Sequence, residues 1–357
     1  MSVVVAHTQE ILDALNALIT DDQTFELRIL GYEERGGWRR TLGGFFDNRE
    51  RAAQIAAEYE AKSQGIYFTL NPVNPDLRAR CNNRVDRRKD ENDGKTSDKD
   101  VLYRTLLPLD CDPVRAKGIS STAAELQNAL LKRDEIVAFL FDRFAFPKPI
   151  LAMSGNGGHA LWDIELPNDD ATRDLLQKFY QALEQQFTDN RVSVDKTIFN
   201  AARIWKLYGT LARKGENFET RPHRRSEITS FPLQRQFVTR EQIEAVAALY
   251  VPEVQEAKVA TRPTSLWNGH RSSSTKNSGT EFDIEAWMSQ HGIDYFRRKS
   301  SAGHETVFVL KVCPFDADHT DRSAVITQDA DGKLGFKCHH NGCAGKDWRM
   351  LREMMEP

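Results

Sequence analysis

Leu106-Leu107-Pro108-Leu109-Asp110-Cys111-Asp112 is an apolar run that stops at two carboxylates with a single residue between them. Alternation along a strand sends residues i and i+2 to one face, so Asp110 and Asp112 project together from the strand's end. Side by side their charges repel, and a divalent cation between them is the natural relief. The spacing alone is not rare in this chain. Asp98/Asp100, Asp316/Asp318 and Asp329/Asp331 repeat it in polar, turn-like stretches suited to solvent. Only Asp110/Asp112 is launched from a hydrophobic strand.

Downstream, Thr122 and Glu125 make a capping box that opens a helix to about Phe144. Residues 149–153 and 159–164 read as strands joined by Ser154-Gly155-Asn156-Gly157-Gly158, a hairpin by its turn chemistry. Residues 170–187 are helical, with Leu175, Phe179, Leu183 and Phe187 at four-residue spacing, and 192–194 form a short strand ending at Asp195. Residues 204–208 and 226–231 complete the strand set, and Thr239 begins a capped helix to about Tyr250. Upstream, 9–18 and 49–62 read as helices, 25–31 and 65–70 as strands, and 84–100 as a polar, mobile loop. Strand, helix, hairpin, helix, strand predicts the α+β class, a sheet with helices on one side.

A chain of 357 residues, 40% hydrophobic and 28% charged, can bury the cores of two domains. No apolar run approaches the roughly 20 residues of a membrane span. Residues 1–10 lack the basic end and long apolar segment of a signal peptide, so a cytoplasmic location is the default. The Ser- and Thr-rich stretch 256–280 has linker composition. It separates residues 1–255 (an N-terminal module 1–100, a module 101–235 and a closing helix 236–255) from a small module, 281–357. A net charge of −3 excludes a globally basic nucleic-acid binder. Charge is nevertheless uneven. Arg203, Lys206, Arg213, Lys214, Arg221, Arg224 and Arg225 face only Glu216 and Glu219 within 203–225, which suits either a local anion site or a solvated face.

Asp195 also ends an apolar strand, and strands about 5 Å apart bring it within reach of Asp110 and Asp112. Three such carboxylates suit two Mg²⁺ or Mn²⁺ ions, about 4 Å apart, in phosphoryl transfer; the same residues also read as surface or capping aspartates. In the hairpin, Gly155, Gly157 and Gly158 allow close backbone approach to an anion, and Ser154 adds a hydroxyl. His159 suits a phosphate donor or a satisfied structural histidine. Arg203 and Lys206, three apart, fall on opposite faces of a strand unless a bulge intervenes. Triphosphate would account for so many cations beside carboxylates.

Five cysteines, three of them at or after residue 313, fit a local metal site better than scattered disulfides. Cys313-x5-His319 and Cys338-x4-Cys343 supply four ligands in two short clusters around strands expected at 325–327 and 334–337, with a turn at 329–332. That pattern suits one tetrahedral, structural Zn²⁺, with His339 or His340 as a substitute ligand. Cys81 and Cys111 are left over and read as reduced thiols.

Taken in order, 107–112, 154–162, 194–196, 202–210, 213–215 and 221–224, with Tyr-Phe-Thr-Leu-Asn-Pro at 67–72, resemble the archaeo-eukaryotic primase superfamily. The resemblance covers about residues 25–250 and is to the primase-polymerases of phages, plasmids and other mobile elements. It implies a catalytic core with an N-terminal α/β module and a sheet like the RNA-recognition motif. Asp110, Asp112 and Asp195 would hold catalytic Mg²⁺ or Mn²⁺. His159, with Ser154 and Gly157 of its hairpin, would meet the incoming nucleotide's phosphates. Arg203, Lys206, Arg213, Lys214, Arg221 and Arg224 would serve the triphosphate or template. The activity implied is de novo primer synthesis and extension on single-stranded DNA from ribo- or deoxyribonucleoside triphosphates, with a replicative helicase as partner in cis or trans. The Zn²⁺ module is similar to those that accompany many primases, although Cys-Pro-Phe-Asp-Ala-Asp-His departs from the usual Cys-x2-Cys opening. Two other readings compete: a non-catalytic zinc-containing DNA-binding replication protein, and a glycosyltransferase using Asp-x-Asp.

Overall fold

The computed structural model describes residues 3–20, 22–34, 39–87, 95–252, 283–299, 306–316, 322–328, 334–338, 343 and 346–356. Contacts divide the chain into Met1–Ala257 and Lys258–Pro357. The first unit contains helices α1 (Val3–Leu18), α2 (Arg49–Tyr59), α3 (Ala123–Phe144), α4 (Asp170–Phe187) and α5 (Arg240–Ala247). Its strands are β1 (Phe25–Glu33), β2 (Arg39–Phe46), β3 (Gly65–Thr69), β4 (Asp86–Arg87), β5 (Tyr103–Pro113), β6 (Ile150–Met153), β7 (Gly158–Pro167), β8 (Val192–Val194), β9 (Ile204–Lys206), β10 (Leu211–Ala212), β11 (Arg224–Arg225) and β12 (Glu227–Ser230).

They form two five-stranded antiparallel sheets, ordered β4-β2-β1-β3-β9 and β12-β6-β7-β5-β8, and a ribbon of β10 with β11. Within the second sheet, β5-α3-β6-β7-α4-β8 in sequence and β6-β7-β5-β8 in space is the split β-α-β-β-α-β arrangement. The expected α+β class holds, with antiparallel sheets throughout this unit.

Local chemistry explains the central elements. Thr122 Oγ1 accepts from the Glu125 N–H at 3.2 Å while Glu125 Oε2 accepts from the Thr122 N–H at 2.9 Å, closing the capping box of α3. The helix ends where Ala145 turns left-handed, at φ 52°. It buries Ala129, Arg133, Ile136 and Leu140, one stripe at helical spacing, against β5 and β7. On β1, Phe25, Leu27 and Ile29 alternate onto one face and join Phe46, Phe68, Ile11 of α1 and Ile55 of α2. Phe25 stacks on Phe46 at 6.0 Å and meets Phe68 edge-on at 6.4 Å. The same core continues through Leu107, Leu109 and Cys111, so the two sheets share one interior.

The second unit holds α6 (Ile284–Gln290), a four-stranded antiparallel meander of β13 (Tyr295–Lys299), β14 (Thr306–Leu310), β15 (Ala324–Gln328) and β16 (Leu334–Cys338), and α7 (Trp348–Met355). Its core joins Trp287 and Met288 of α6 with Phe308, Ile326, Phe336 and Leu351. The linker expected at 256–280 and the turn at 329–332 lie outside the described residues.

Three differences from the sequence reading are local. The first helix begins earlier, at Val3. The strand at Arg39–Phe46 carries Gly43 and Gly44 in its interior, a pattern that reads poorly as a strand. The loop at 84–100 contains β4 and a single 3₁₀ turn at Asp98–Asp100; residues 88–94 are outside the described set. A fourth difference is topological. The strand at Ile204–Lys206, expected within the 101–235 module, pairs instead with β3: Tyr67 lies opposite Lys206 and Phe68 opposite Trp205. The chain therefore crosses from one sheet to the other between Asp195 and Ile204, and that crossing builds the site.

Candidate functional site

Asp110 and Asp112 leave β5 on one face, while Cys111 between them turns to the helix side and is fully buried. Burial pushes the Cys111 thiol up, so it stays protonated. Opposite Asp110 in the β5–β7 register stands His159. Its Nε2 is 3.3 Å from Asp110 Oδ1, and its Nδ1 is 2.8 Å from the Tyr208 hydroxyl. That hydroxyl already accepts from Trp205 Nε1 at 2.8 Å. With its own proton directed to Nδ1, the arrangement assigns the imidazole proton to Nε2, facing the carboxylate. Trp205 also packs against the imidazole, ring centres 4.2 Å apart.

Asp195 follows β8, and its N–H donates to the Asp110 carbonyl at 3.0 Å, which sets it beside Asp110. Its carboxylate accepts from the Thr197 N–H and hydroxyl, both at 2.7 Å, and lies 3.3 Å from Arg203 Nη2. All three aspartates line one cleft of about 150 Å³ between the sheets, together with Ser154, His159, Arg203, Lys206 and Lys214. Among the described residues only the cysteines discussed below bring three ligand atoms all within 4.8 Å of one another; the three aspartates do not.

The two strand-end carboxylates titrate in opposite directions. Burial, then the Asp110 charge, pushes Asp112 up, against Lys214, Arg115 and His159. Burial alone would raise Asp110 too, but His159, with Lys214 and Arg203 beyond it, holds it below the usual carboxylate range. Asp110 Oδ1 is buried and, beyond the His159 Nε2 at 3.3 Å, has no hydrogen-bond partner. Tyr67, on the facing sheet, is pushed up to about 12 by burial and by Asp112 and Asp110, and so remains a neutral phenol.

Several expected anion ligands are engaged elsewhere. Arg221 forms a bidentate pair with Glu125, at 2.8 and 2.9 Å, and Arg224 donates to the Ser121 carbonyl at 2.7 Å; both brace the segment leading into α3. Neither lines the cleft. Arg213 bonds the carbonyls of Ala61 and Ser63. The Ser154 hydroxyl accepts from the Gly157 N–H at 2.8 Å within its own turn. At Gly157, a Cβ would lie 2.7 Å from Asp112 Oδ1 and 2.6 Å from the Cys111 carbonyl, so only glycine lets the hairpin pass behind the carboxylates. Lys214 is the cation left facing both strand-end acids. Tyr67, Trp205, Tyr208 and Arg115 were not singled out from the sequence; the signal available for the first three was their place inside the ordered blocks 67–72 and 202–210.

Lys206 is buried, donating to Thr210 Oγ1 at 2.6 Å and the Leu211 carbonyl at 2.9 Å, with its ammonium 5.6 Å above the Tyr67 ring. Burial lowers it to about 7, against the attraction of Glu60. In the unfolded chain a lysine titrates near 10.4, so the unfolded state binds more protons between these values. The burial penalty is therefore full below pH 7 and fades as pH rises toward 10. Lys206→Met should stabilise the first unit at pH 6 by about 2 kcal/mol, or about 4–8 °C in melting temperature. The gain should shrink steadily above pH 7 in thermal melts; a gain independent of pH would refute the buried-charge account.

In the second unit, Cys313, Cys338 and Cys343 are buried, and their sulfurs all lie within 4.8 Å of one another. Cys313 Sγ and Cys343 Sγ are 3.7 Å apart, unbonded as a disulfide. Thiolates placed tetrahedrally at about 2.3 Å from one ion stand at about this separation. These three residues could bind a metal such as zinc. His319, the fourth expected ligand, and the substitutes His339 and His340 lie outside the described residues.

Among the described residues, no helix is long and apolar enough to cross a membrane. The first unit is thus an α+β protein whose two sheets enclose an acidic cleft walled by cations. No family model and no curated protein matches the chain. A solved structure described as the crystal structure of primase RepB' aligns with 68% of this chain and 62% of its own, less than two thirds of that protein, at a TM-score of 0.37 and 9% identity.

Proposed function

We propose that the first unit is a metal-dependent nucleotidyltransferase, a DNA primase-polymerase that joins nucleotides on a single-stranded template. The observation that carries this reading is the cleft itself: Asp110, Asp112 and Asp195 on one wall, with Lys206, Lys214 and Arg203 around them. Acids alone would suit a metal, and cations alone an anion. Both around one small volume suit a metal–triphosphate complex. The ordered sequence blocks support the same reading.

The donor set fits Mg²⁺ or Mn²⁺, because it is all carboxylate and includes the buried Asp110 Oδ1, which has no partner beyond His159 Nε2. Asp110 and Asp112 would hold the ions, joined by Asp195 on leaving Arg203. Bound there, the ions would supply activation of a hydroxyl and neutralisation of phosphate charge. The chain's own groups do the rest. Lys214 attracts the triphosphate, and the His159 Nε2–H, oriented from behind by Tyr208, offers a hydrogen bond to a phosphate oxygen. Arg203 is a further cation for pyrophosphate as it leaves, and Tyr67 walls the nucleotide on the opposite sheet.

Incubating the full chain with single-stranded DNA, labelled nucleoside triphosphates and either metal should give incorporation both with and without a supplied primer. DNA retained on a filter without incorporation under either metal would favour the non-catalytic DNA-binding reading.

A further inference from the structure

A groove of about 370 Å³ lies between α1 and β12 and shares no wall residue with the acidic cleft. Glu10, Asp13 and Ala14, at i, i+3 and i+4 on one face of α1, make one wall. Glu227 and Ile228 of β12, with Phe231 just beyond the strand, make the other. β12 is the edge strand of its sheet, a position open to a partner. The segment that follows it is fixed. Arg235 reaches both carboxylate oxygens of Asp163 and donates to the Ala17 carbonyl at 2.6 Å, and the Val238 N–H donates to the Asp163 carbonyl at 2.8 Å. Yet this ordered segment presents Phe231 half exposed and Leu233 fully exposed. Large apolar side chains held out in water and rimmed by polar groups mark a contact surface.

The rim is acidic. Among the described residues Glu10, Asp13 and Glu227 form no ion pair, and Asp13 accepts only from the Gln9 amide, at 2.8 Å. Arg225, the one cation in the lining, is already taken by Glu60, through two bonds of 3.0 Å, and by the Gly209 carbonyl. We infer that this groove docks a basic segment of another protein. A cationic side chain of that segment enters between the three carboxylates, and an apolar neighbour covers Phe231 and Leu233.

Charge selects this occupant over the others. Nucleic acid is disfavoured, since its phosphates would face three carboxylates. A second copy of the chain is disfavoured too, because an isologous contact sets a patch against itself and would bring these like charges together. A basic segment of a different protein meets neither objection. Arginine suits the groove better than lysine, because its planar fork can give a carboxylate two bonds while lying on the Phe231 ring. The groove and the acidic cleft have no lining residue in common, so occupancy can be measured whether or not the chain incorporates nucleotides.

The test is fluorescence anisotropy of the full chain with a short labelled peptide of alternating arginine and leucine, and with its glutamate–leucine counterpart. Wild type should bind the first and not the second. Asp13→Lys combined with Glu227→Lys should weaken binding at least about tenfold, and Phe231→Ser about tenfold. Asp142→Lys combined with Glu165→Lys makes the same change in net charge at exposed positions outside the groove. That pair should alter binding less than about twofold, because salt screens distant charges. Sedimentation of wild type should show no dimer that Phe231→Ser dissociates. No bound peptide, equal weakening by the two charge-reversed pairs, or binding indifferent to Phe231→Ser would overturn the inference. So would such a dimer, which would make a second copy the occupant.

Discussion

Asp112→Asn will sharply lower nucleotide incorporation without unfolding the first unit, and in metal-free buffer it will leave that unit slightly more stable. The substitution keeps the side chain's shape and removes one of two like charges that project together from the end of β5. Loss of a ligand oxygen from the charge-stabilising site should lower turnover by on the order of 10²–10³-fold. The stability change has the opposite sign because burial and Asp110 both disfavour the Asp112 carboxylate. Its folded pKa lies above the unfolded value near 3.9, so the wild-type chain loses stability as pH rises from about 4 and the folded group ionises later than the unfolded one. The variant escapes that loss. Because Asp112 is 44% exposed, solvent screening reduces the gain to about 1–2 °C at pH 7, and it should vanish near pH 4. Adding Mg²⁺ should raise the melting temperature of wild type and not of the variant. Persistent synthesis by Asp112→Asn, or an Mg²⁺ shift of equal size in both proteins, would count against a metal held by the pair.

Loss of a zinc ion held by the three cysteines would have the largest effect on stability. Its core is small, and three of its buried members are Cys313, Cys338 and Cys343 themselves. A unit that collects three thiols without a disulfide gains little from that cluster until a cation joins them. Structural Zn²⁺ contributes on the order of 10 kcal/mol to such folds. The full chain as isolated should contain about one zinc by elemental analysis. A strong chelator, or Cys338→Ser, should erase the calorimetric transition of Lys258–Pro357 and expose it to protease, while the transition of Met1–Ala257 persists. An unchanged transition after verified metal removal would show that the unit folds without the ion.

Much of the first unit could be read locally. The Thr122/Glu125 box announces α3, and the Ser154–Gly158 turn residues announce the β6–β7 hairpin. Alternation places Asp110 and Asp112 on one face before any partner is known. Each of these signals lies within a few residues of what it specifies. The role of Ile204–Lys206 was not legible in that way, since a three-residue strand pairs with whichever edge the folded chain offers. The same limit applies to the basic run. Charge along 203–225 is obvious, yet Arg221 and Arg224 are taken up by Glu125 and Ser121, about a hundred residues earlier in the chain.

By itself, then, the chain's order of residues determined the α+β class, the starts of α2 to α5, the hairpin, the paired aspartates at a strand end and the clustering of cysteines near its end. Tertiary structure alone decided that β9 would join β3, that Lys206 would be buried over Tyr67, that Tyr208 and Trp205 would orient His159, and that an acid-rimmed groove would form between α1 and β12. The reason is physical. Capping, turns and alternation are settled by neighbours a few bonds away, whereas a cleft between two sheets exists only after distant strands have paired and their side chains have competed for the same partners.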